Sequence, residues 1–234
     1  MSGLDALIAG RLADVRGRIA AAADRAGRDP ASVRLVAVSK TYGAEHVRAA
    51  IGAGQHDFGE NKVQEGLQKI TELTDTTIRW HLIGHLQSNK AKRAGEAFDW
   101  IHAVDSVSLL QKIDAAAAAV GRRPRLLVQV DLAGETTKHG APPDEVGAIV
   151  EAGATCVAAE LVGLMLLPPA VDDPEDARPW FRRLRALRDE LLAAGAPPAR
   201  LAELSMGMSH DFAVAVEEGA TIVRVGSAIF GARA

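Results

Sequence analysis

Short apolar runs, most of them closed by a polar residue or a glycine, alternate along the chain with stretches whose apolar positions return every three or four residues. The runs Leu35–Lys40, Asp57–Asn61, Trp80–His85, Trp100–Asp105, Leu126–Asp131, Leu161–Leu166, Ala202–Met206 and Thr221–Gly226 read as eight buried strands. Between them, sets such as Val63, Leu67, Ile70 and Leu73, or Trp180, Phe181, Leu184, Leu187 and Leu191, predict helices. Gly52-Ala53-Gly54 and Glu218-Gly219 stand just before strands, where helix C-terminal caps belong. A further helix is predicted over residues 4–26. Leu4, Leu7, Ile8, Leu12, Val15 and Ile19 form its apolar side, Arg11, Asp14, Arg16 and Arg18 its polar side, and Gly27 and Asp29-Pro30 end it.

Strict strand–helix alternation repeated eight times predicts an α/β fold of the (β/α)8 TIM-barrel type. An open doubly wound sheet is the other arrangement such a pattern allows. Pro142–Glu160 fits one helix plus a loop, and Asp172–Arg178 a surface loop leading into a helix. No stretch reads as a linker. The expected organisation is therefore one domain over 1–234, with 1–30 the N-terminal helix and lead-in and 31–234 the barrel.

Composition narrows the class of function. A length of 234 residues with 48% hydrophobic content suits one sizeable core, and a net charge of −3 gives no footprint for nucleic acid. The single cysteine, Cys156, excludes an internal disulfide and reads as a buried apolar residue in a reducing compartment. There is no signal-peptide pattern and no apolar stretch long enough for a membrane span, so a cytoplasmic location is expected.

The candidate chemistry lies at the strand ends. Leu35-Val36-Ala37-Val38-Ser39-Lys40 is an apolar strand that stops on a lysine. Partial desolvation there disfavours the ammonium and favours the neutral amine that a Schiff-base lysine needs, although a lysine snorkelling into water has the same pattern. In a barrel all eight C-terminal ends form one face, which carries the site. The eighth strand ends Arg224-Val225-Gly226-Ser227 and the seventh leads into Ser205-Met206-Gly207-Met208-Ser209. Glycines beside hydroxyls at these two neighbouring ends predict a phosphate cradle. A lysine, a phosphate cradle and an arginine on one face suggest pyridoxal phosphate, joined to Lys40 as an imine and docked at Ser209, Gly226 and Ser227. Arg224, alternating with Gly226, is then placed to reach the pyridine nitrogen. Because a guanidinium only donates, the ring would stay unprotonated and be a weaker electron sink.

The residues also resemble a known family. Ala37–Thr41, Asp57–Asn61, Trp80–Lys90, Lys138-His139-Gly140, Gly163-Leu164-Met165, Leu204–Ser209 and Ile222–Gly231 are similar, in order, to segments of the YggS/PROSC family of pyridoxal phosphate homeostasis proteins. The resemblance implies an alanine-racemase-like barrel with Lys40 as the cofactor lysine. It further implies phosphate contacts from Ser209, Gly226 and Ser227, and Arg224 at the ring nitrogen. Asn61, His85, Met165 and Ser205 match family positions lining the pocket, and Lys138 is a candidate for a second, transient cofactor site by resemblance alone. His210 departs from the pattern, where a small or acidic residue is implied.

The expected function is thus a cytoplasmic protein that holds pyridoxal phosphate on Lys40 and serves vitamin B6 homeostasis without robust catalysis of its own. Pyridoxal-phosphate-requiring apo-enzymes are its expected transient clients, with no nucleic-acid or membrane partner and a monomeric state. The alternatives are an amino-acid racemase and a lysine-imine aldolase. Racemisation needs an acid or base on each face of the substrate. Related racemases carry a tyrosine on a second β-rich domain, whereas this sequence has only Tyr42, near the lysine. Metal binding by His81 and His85 is disfavoured because their segment reads as a strand, with His81 a satisfied core residue. Asp105 and Asp131 read as caps or bonds across the barrel mouth, and the basic runs Lys90, Lys92, Arg93 and Arg182, Arg183, Arg185, Arg188 as solvated helix faces.

Overall fold

A computed structural model describes residues 2–134 and 139–231. Helix α1 (Gly3–Arg25) comes first, and the strands and helices then alternate as β1 (Arg34–Val38), α2 (Ala44–Gly52), β2 (Asp57–Glu60), α3 (Val63–Glu72) and β3 (Arg79–Leu82). They continue as α4 (Ala91–Ala97), β4 (Trp100–Val104), α5 (Val107–Ala119), β5 (Arg125–Val130), α6 (Pro143–Ala152) and β6 (Glu160–Leu166). The last are α7 (Arg178–Ala193), β7 (Glu203–Ser205), α8 (Phe212–Glu217), β8 (Ile222–Val225) and the single turn α9 (Ser227–Phe230). The eight strands form a closed barrel in sequence order, each parallel to its neighbours. It closes where β1 meets β8, with Leu35 opposite Val223 and Ala37 opposite Val225.

All eight expected strands are present, with ends shifted by at most two residues except in the third, which stops at Leu82, three residues short of His85. β7 is the shortest, at three residues, and meets β8 in register only at Ser205 and Ile222. Backbone bonds from Met206 to Ile222 and from Arg224 to Gly207 carry the pairing further.

Two apolar clusters hold the barrel. Val36, Trp100, Leu127, Met165 and Ile222 come from strands on opposite sides of the ring, so they meet inside it. The larger cluster fills the space between strands and helices. Helix α1 starts with a reciprocal Ser2–Asp5 capping box and buries Ile8, Leu12, Val15, Ile19, Ala22 and Ala23. It packs on α2, α8 and α9 and so covers the seam between the first and last strands.

Several local expectations change. Residues Pro174–Ala177 form a 3-10 turn capped by Asp173 ahead of α7, within the stretch read as a surface loop. Cys156 is half-buried against the core, and burial pushes its thiol pKa up. Ser106, not Asp105, caps α5 through the Leu109 N–H, while Asp131 Oδ1 accepts from Ala133 and Gly134 in a turn. The α7 arginines are only partly solvated, since Arg178, Arg182 and Arg185 converge on the buried Glu218. Among the described residues no helix is long and apolar enough to cross a membrane.

Candidate functional site

A cavity of about 540 Å³ opens at the C-terminal ends of the strands, a size in the range of small-molecule sites. Of the residues expected at the site, Lys40, Asn61, His85, Ser209, Arg224, Gly226 and Ser227 line it. Met165 and Ser205 do not: Met165 is fully buried in the cluster inside the barrel, and Ser205 is fully buried beneath Arg224. Lys138 lies outside the described residues.

Lys40 is half-buried in the turn that leaves β1, and both of its neighbours are tied down. Ser39 Oγ donates to Glu60 Oε1 at 2.6 Å, and the Ser39 carbonyl accepts from Lys69 Nζ at 2.7 Å. Thr41, in the left-handed region at φ 70°, donates its N–H to Glu65 Oε1 at 2.5 Å. Lys69 Nζ also bonds Glu60 Oε1 at 2.7 Å, with both side chains buried. Burial pushes the Glu60 carboxyl pKa up, with Lys69 and Ser39 opposing it, and Glu60 Oε2 has no partner. Lys69 and Glu65 escaped the sequence reading, and Glu60 entered it only as part of the segment Asp57–Asn61. The available signal was a core face of α3 made by Val63, Gly66 and Lys69 at a spacing of three.

At the other end of the cavity, Ser209 Oγ accepts from the Gly226 N–H at 3.0 Å and from the Ala228 N–H at 3.4 Å. A Cβ on Gly226 would lie 3.3 Å from both the Val38 Cβ and its carbonyl oxygen, so the bare backbone allows β8 to end close against β1. The loop is fixed by the buried Asp211, which accepts from the Met208 N–H at 2.6 Å and whose pKa burial pushes up. His210 is exposed, with Nε2 2.9 Å from the Asp172 carbonyl oxygen. It lines the cavity and ties this loop to the approach to α7.

Between these ends lies Arg224, only 2% exposed. It donates to Ser205 Oγ at 2.6 Å and to the Leu166 carbonyl at 2.8 Å, and burial lowers its pKa to about 10. Asn61 is half-buried at the rim, and Gly84 packs against its backbone so closely that a Cβ there would fall 2.3 Å from the Asn61 carbonyl oxygen. His85 stacks on His139 with centroids 3.5 Å apart, and burial together with His139 lowers its pKa. Tyr42 also lines the cavity, and its hydroxyl donates to the Gly231 carbonyl at 2.9 Å. His81 belongs to the barrel interior, bonded to Asp57 and His102, and no group of three metal-binding side chains occurs among the described residues.

The family model described as the alanine racemase N-terminal domain matches residues 11–234. A protein of Aquifex aeolicus called pyridoxal phosphate homeostasis protein is 42% identical over 223 residues, 95% of this chain and 97% of its own. This chain belongs to the pyridoxal phosphate homeostasis protein family. Among solved structures, the family member PipY of Synechococcus elongatus with pyridoxal phosphate bound is 43% identical. It matches with a TM-score of 0.84 over 96% of this chain and 100% of that one. The alanine racemase of Clostridium difficile, 16% identical, shares the fold with a TM-score of 0.74 over 97% of this chain and 57% of its own. The racemase thus shares the barrel at 16% identity, against 42% and 43% for the Aquifex aeolicus protein and PipY.

Proposed function

We propose that this chain binds pyridoxal phosphate at Lys40 and serves in cellular pyridoxal phosphate homeostasis rather than as an enzyme. When bound, that cofactor supplies an aldehyde that an amine can capture and a ring that accepts electrons. The observation that carries the reading is a single cavity with the Lys40 amine, the donor-only Arg224 and the Ser209–Gly226 turn on its walls. The residues fit the group. Ser209 and Ser227 offer hydroxyls on the cavity wall, the Gly226 and Ala228 N–H groups gather on Ser209 Oγ, and Arg224 can donate to a ring nitrogen but cannot surrender a proton to it at neutral pH.

The weak electron sink that such an arginine leaves is one reason to read the site as a holder. The names of the relatives are another. In the racemase reading a second acid or base must face Lys40, and the Tyr42 hydroxyl is already bonded to the Gly231 carbonyl. We further infer one domain over 1–234, a cytoplasmic location, apo-enzymes as transient clients and a monomer. Supporting a monomer, the exposed large hydrophobics Leu7, Val120, Val157 and Met208 stand on separate elements.

The test is borohydride trapping of the protein incubated with pyridoxal phosphate, followed by peptide mapping. A pyridoxyl group on the Lys40 peptide, absent from Lys40→Ala, is expected; a colourless protein with no Lys40-dependent adduct refutes the binding. Amino-acid racemisation above the Lys40→Ala level refutes the non-enzymatic part.

A further inference from the structure

A row of buried polar groups crosses the inside of the barrel from the face opposite the cavity, and the site as described leaves most of it unexplained. At its far end Asp57 pairs with Arg79 at 2.5 Å and with Arg34 at 3.3 Å. Asp57 Oδ1 is 3.0 Å from His81 Nε2, His81 Nδ1 is 3.0 Å from His102 Nε2, and His102 Nδ1 is 2.9 Å from Ser205 Oγ. Arg224 Nη1 completes the row at 2.6 Å from Ser205 Oγ. His81, His102 and Ser205 have no exposed surface.

Asp57 and the protonation state of the two rings fix the direction of the bonds between them. A guanidinium can only donate and an ionised carboxylate can only accept. Asp57 is ionised: burial alone would raise its pKa, but Arg79, His81 and Arg34 together hold it well below the usual carboxylate range. Burial lowers the proton affinity of both imidazoles. His102 is pushed down further by His81, Arg224 and Arg34. For His81, Asp57 and Asp99 oppose the burial and Arg34 adds to it, with a net lowering. With both rings neutral, each ring has one N–H, and one arrangement satisfies all four contacts. Ser205 O–H donates to His102 Nδ1, His102 Nε2–H donates to His81 Nδ1, and His81 Nε2–H donates to Asp57.

We propose that Ser205, His102 and His81 are positioning residues that form a hydrogen-bonded relay of fixed polarity, anchored on Asp57 and holding Arg224 as the donor at the cavity. The role of Arg224 toward a pyridine nitrogen rests on the pyridoxal phosphate reading; the relay itself is a property of the chain without ligand. Through it, the face of the barrel carrying Arg34 and Arg79 is connected to the cavity wall.

The first arm of the test is nitrogen NMR of the full chain with labelled histidine and no ligand. His81 and His102 are expected as neutral Nε2–H tautomers from about pH 7 to 8, above the ordinary histidine value. An Nδ1–H tautomer or an imidazolium at either position overturns the relay. The second arm compares Ser205→Ala with Ser205→Thr, which restores the hydroxyl. The Arg224 guanidinium N–H groups are expected to exchange with water about tenfold faster in Ser205→Ala, the ratio that corresponds to 1.4 kcal/mol, and to slow again in Ser205→Thr. Equal exchange in Ser205→Ala and wild type overturns the positioning role. If pyridoxal phosphate does not bind at all, the proposed function falls while both arms still decide the relay.

Discussion

The Lys69→Met substitution tests how the turn carrying Lys40 is held. It removes the ammonium that touches Glu60 Oε1 at 2.7 Å and the Ser39 carbonyl at 2.7 Å, and keeps a long apolar side chain in the space. Glu60, fully buried and with Oε2 already unpartnered, then retains only the Ser39 hydroxyl. Breaking a buried pair by removing one partner costs about 3–5 kcal/mol. Protonation of the orphaned acid limits that cost. Relative to an unfolded pKa of about 4.3, holding a carboxyl neutral at pH 7 costs about 3.7 kcal/mol, at 1.36 kcal/mol per pH unit. Losing the bond to the Ser39 carbonyl adds about 1 kcal/mol that does not depend on pH.

The sign follows from proton linkage. In the variant the folded state holds a proton on Glu60 that the unfolded state releases above about pH 4.3, so the stability deficit grows with rising pH. Because burial already pushes the wild-type Glu60 pKa up, part of this cost is shared, and urea denaturation at pH 5 and pH 7 is expected to show a deficit of at most about 2 kcal/mol at the lower pH and at most about 4–5 kcal/mol at the higher. Adding Glu60→Gln removes the pH dependence and recovers most of the loss. A deficit below about 1 kcal/mol at pH 7, or one that is the same at both pH values, refutes the reasoning.

Two further outcomes concern the phosphate turn and the outer shell. Ser209→Ala removes the acceptor shared by the Gly226 and Ala228 N–H groups and one candidate phosphate contact. Pyridoxal phosphate is expected to dissociate about tenfold more readily, read by loss of its visible band on dilution, with the circular dichroism of the barrel retained. Asp114→Ala removes the acceptor of the N–H groups of Val157, Ala158 and Ala159 and is expected to cost about 1–3 kcal/mol at pH 7 by urea denaturation. Burial raises the Asp114 pKa, but the three backbone N–H groups outweigh it, leaving a net lowering. Its stabilisation is present above the unfolded value of about 3.9 and lost as pH falls through the folded value, so the gap between variant and wild type closes in acid.

The barrel was legible because parallel strands covered on both faces are written as continuous apolar runs, and helix-period stretches separate them. The cavity was legible for a related reason: polar residues and glycines at the ends of such runs have to gather on one face. What the pattern did not carry was partner choice. Val63, Leu67, Ile70 and Leu73 share a helical spacing with the face that α3 actually buries, yet Leu67 and Ile70 are half-buried and Lys69 is inside. A charged residue on a core face becomes intelligible only once Glu60 is known to stand opposite it. The arginines of α7 meet Glu218 across 33 to 40 residues of sequence, and His102 meets Ser205 across 103, distances over which periodicity carries no information. Ser205 and Met165 belong to the same class, since a residue at a strand end can face the cavity or lie beneath it.

The barrel closes where its first strand meets its last, and the lysine and the Ser209–Gly226 turn stand on the two sides of that join. A molecule held by both is therefore a clasp across a chain interval of nearly the whole barrel, in the manner of a reversible cross-link. Its grip opposes parting of β1 from β8, the opening that would turn the cylinder into a sheet with two bare edges. At a free ligand concentration a hundred times its dissociation constant, that resistance amounts to about 2.7 kcal/mol. Loading and emptying the site would then also set how readily the cylinder unrolls, so that the empty protein is the form most exposed to proteolysis.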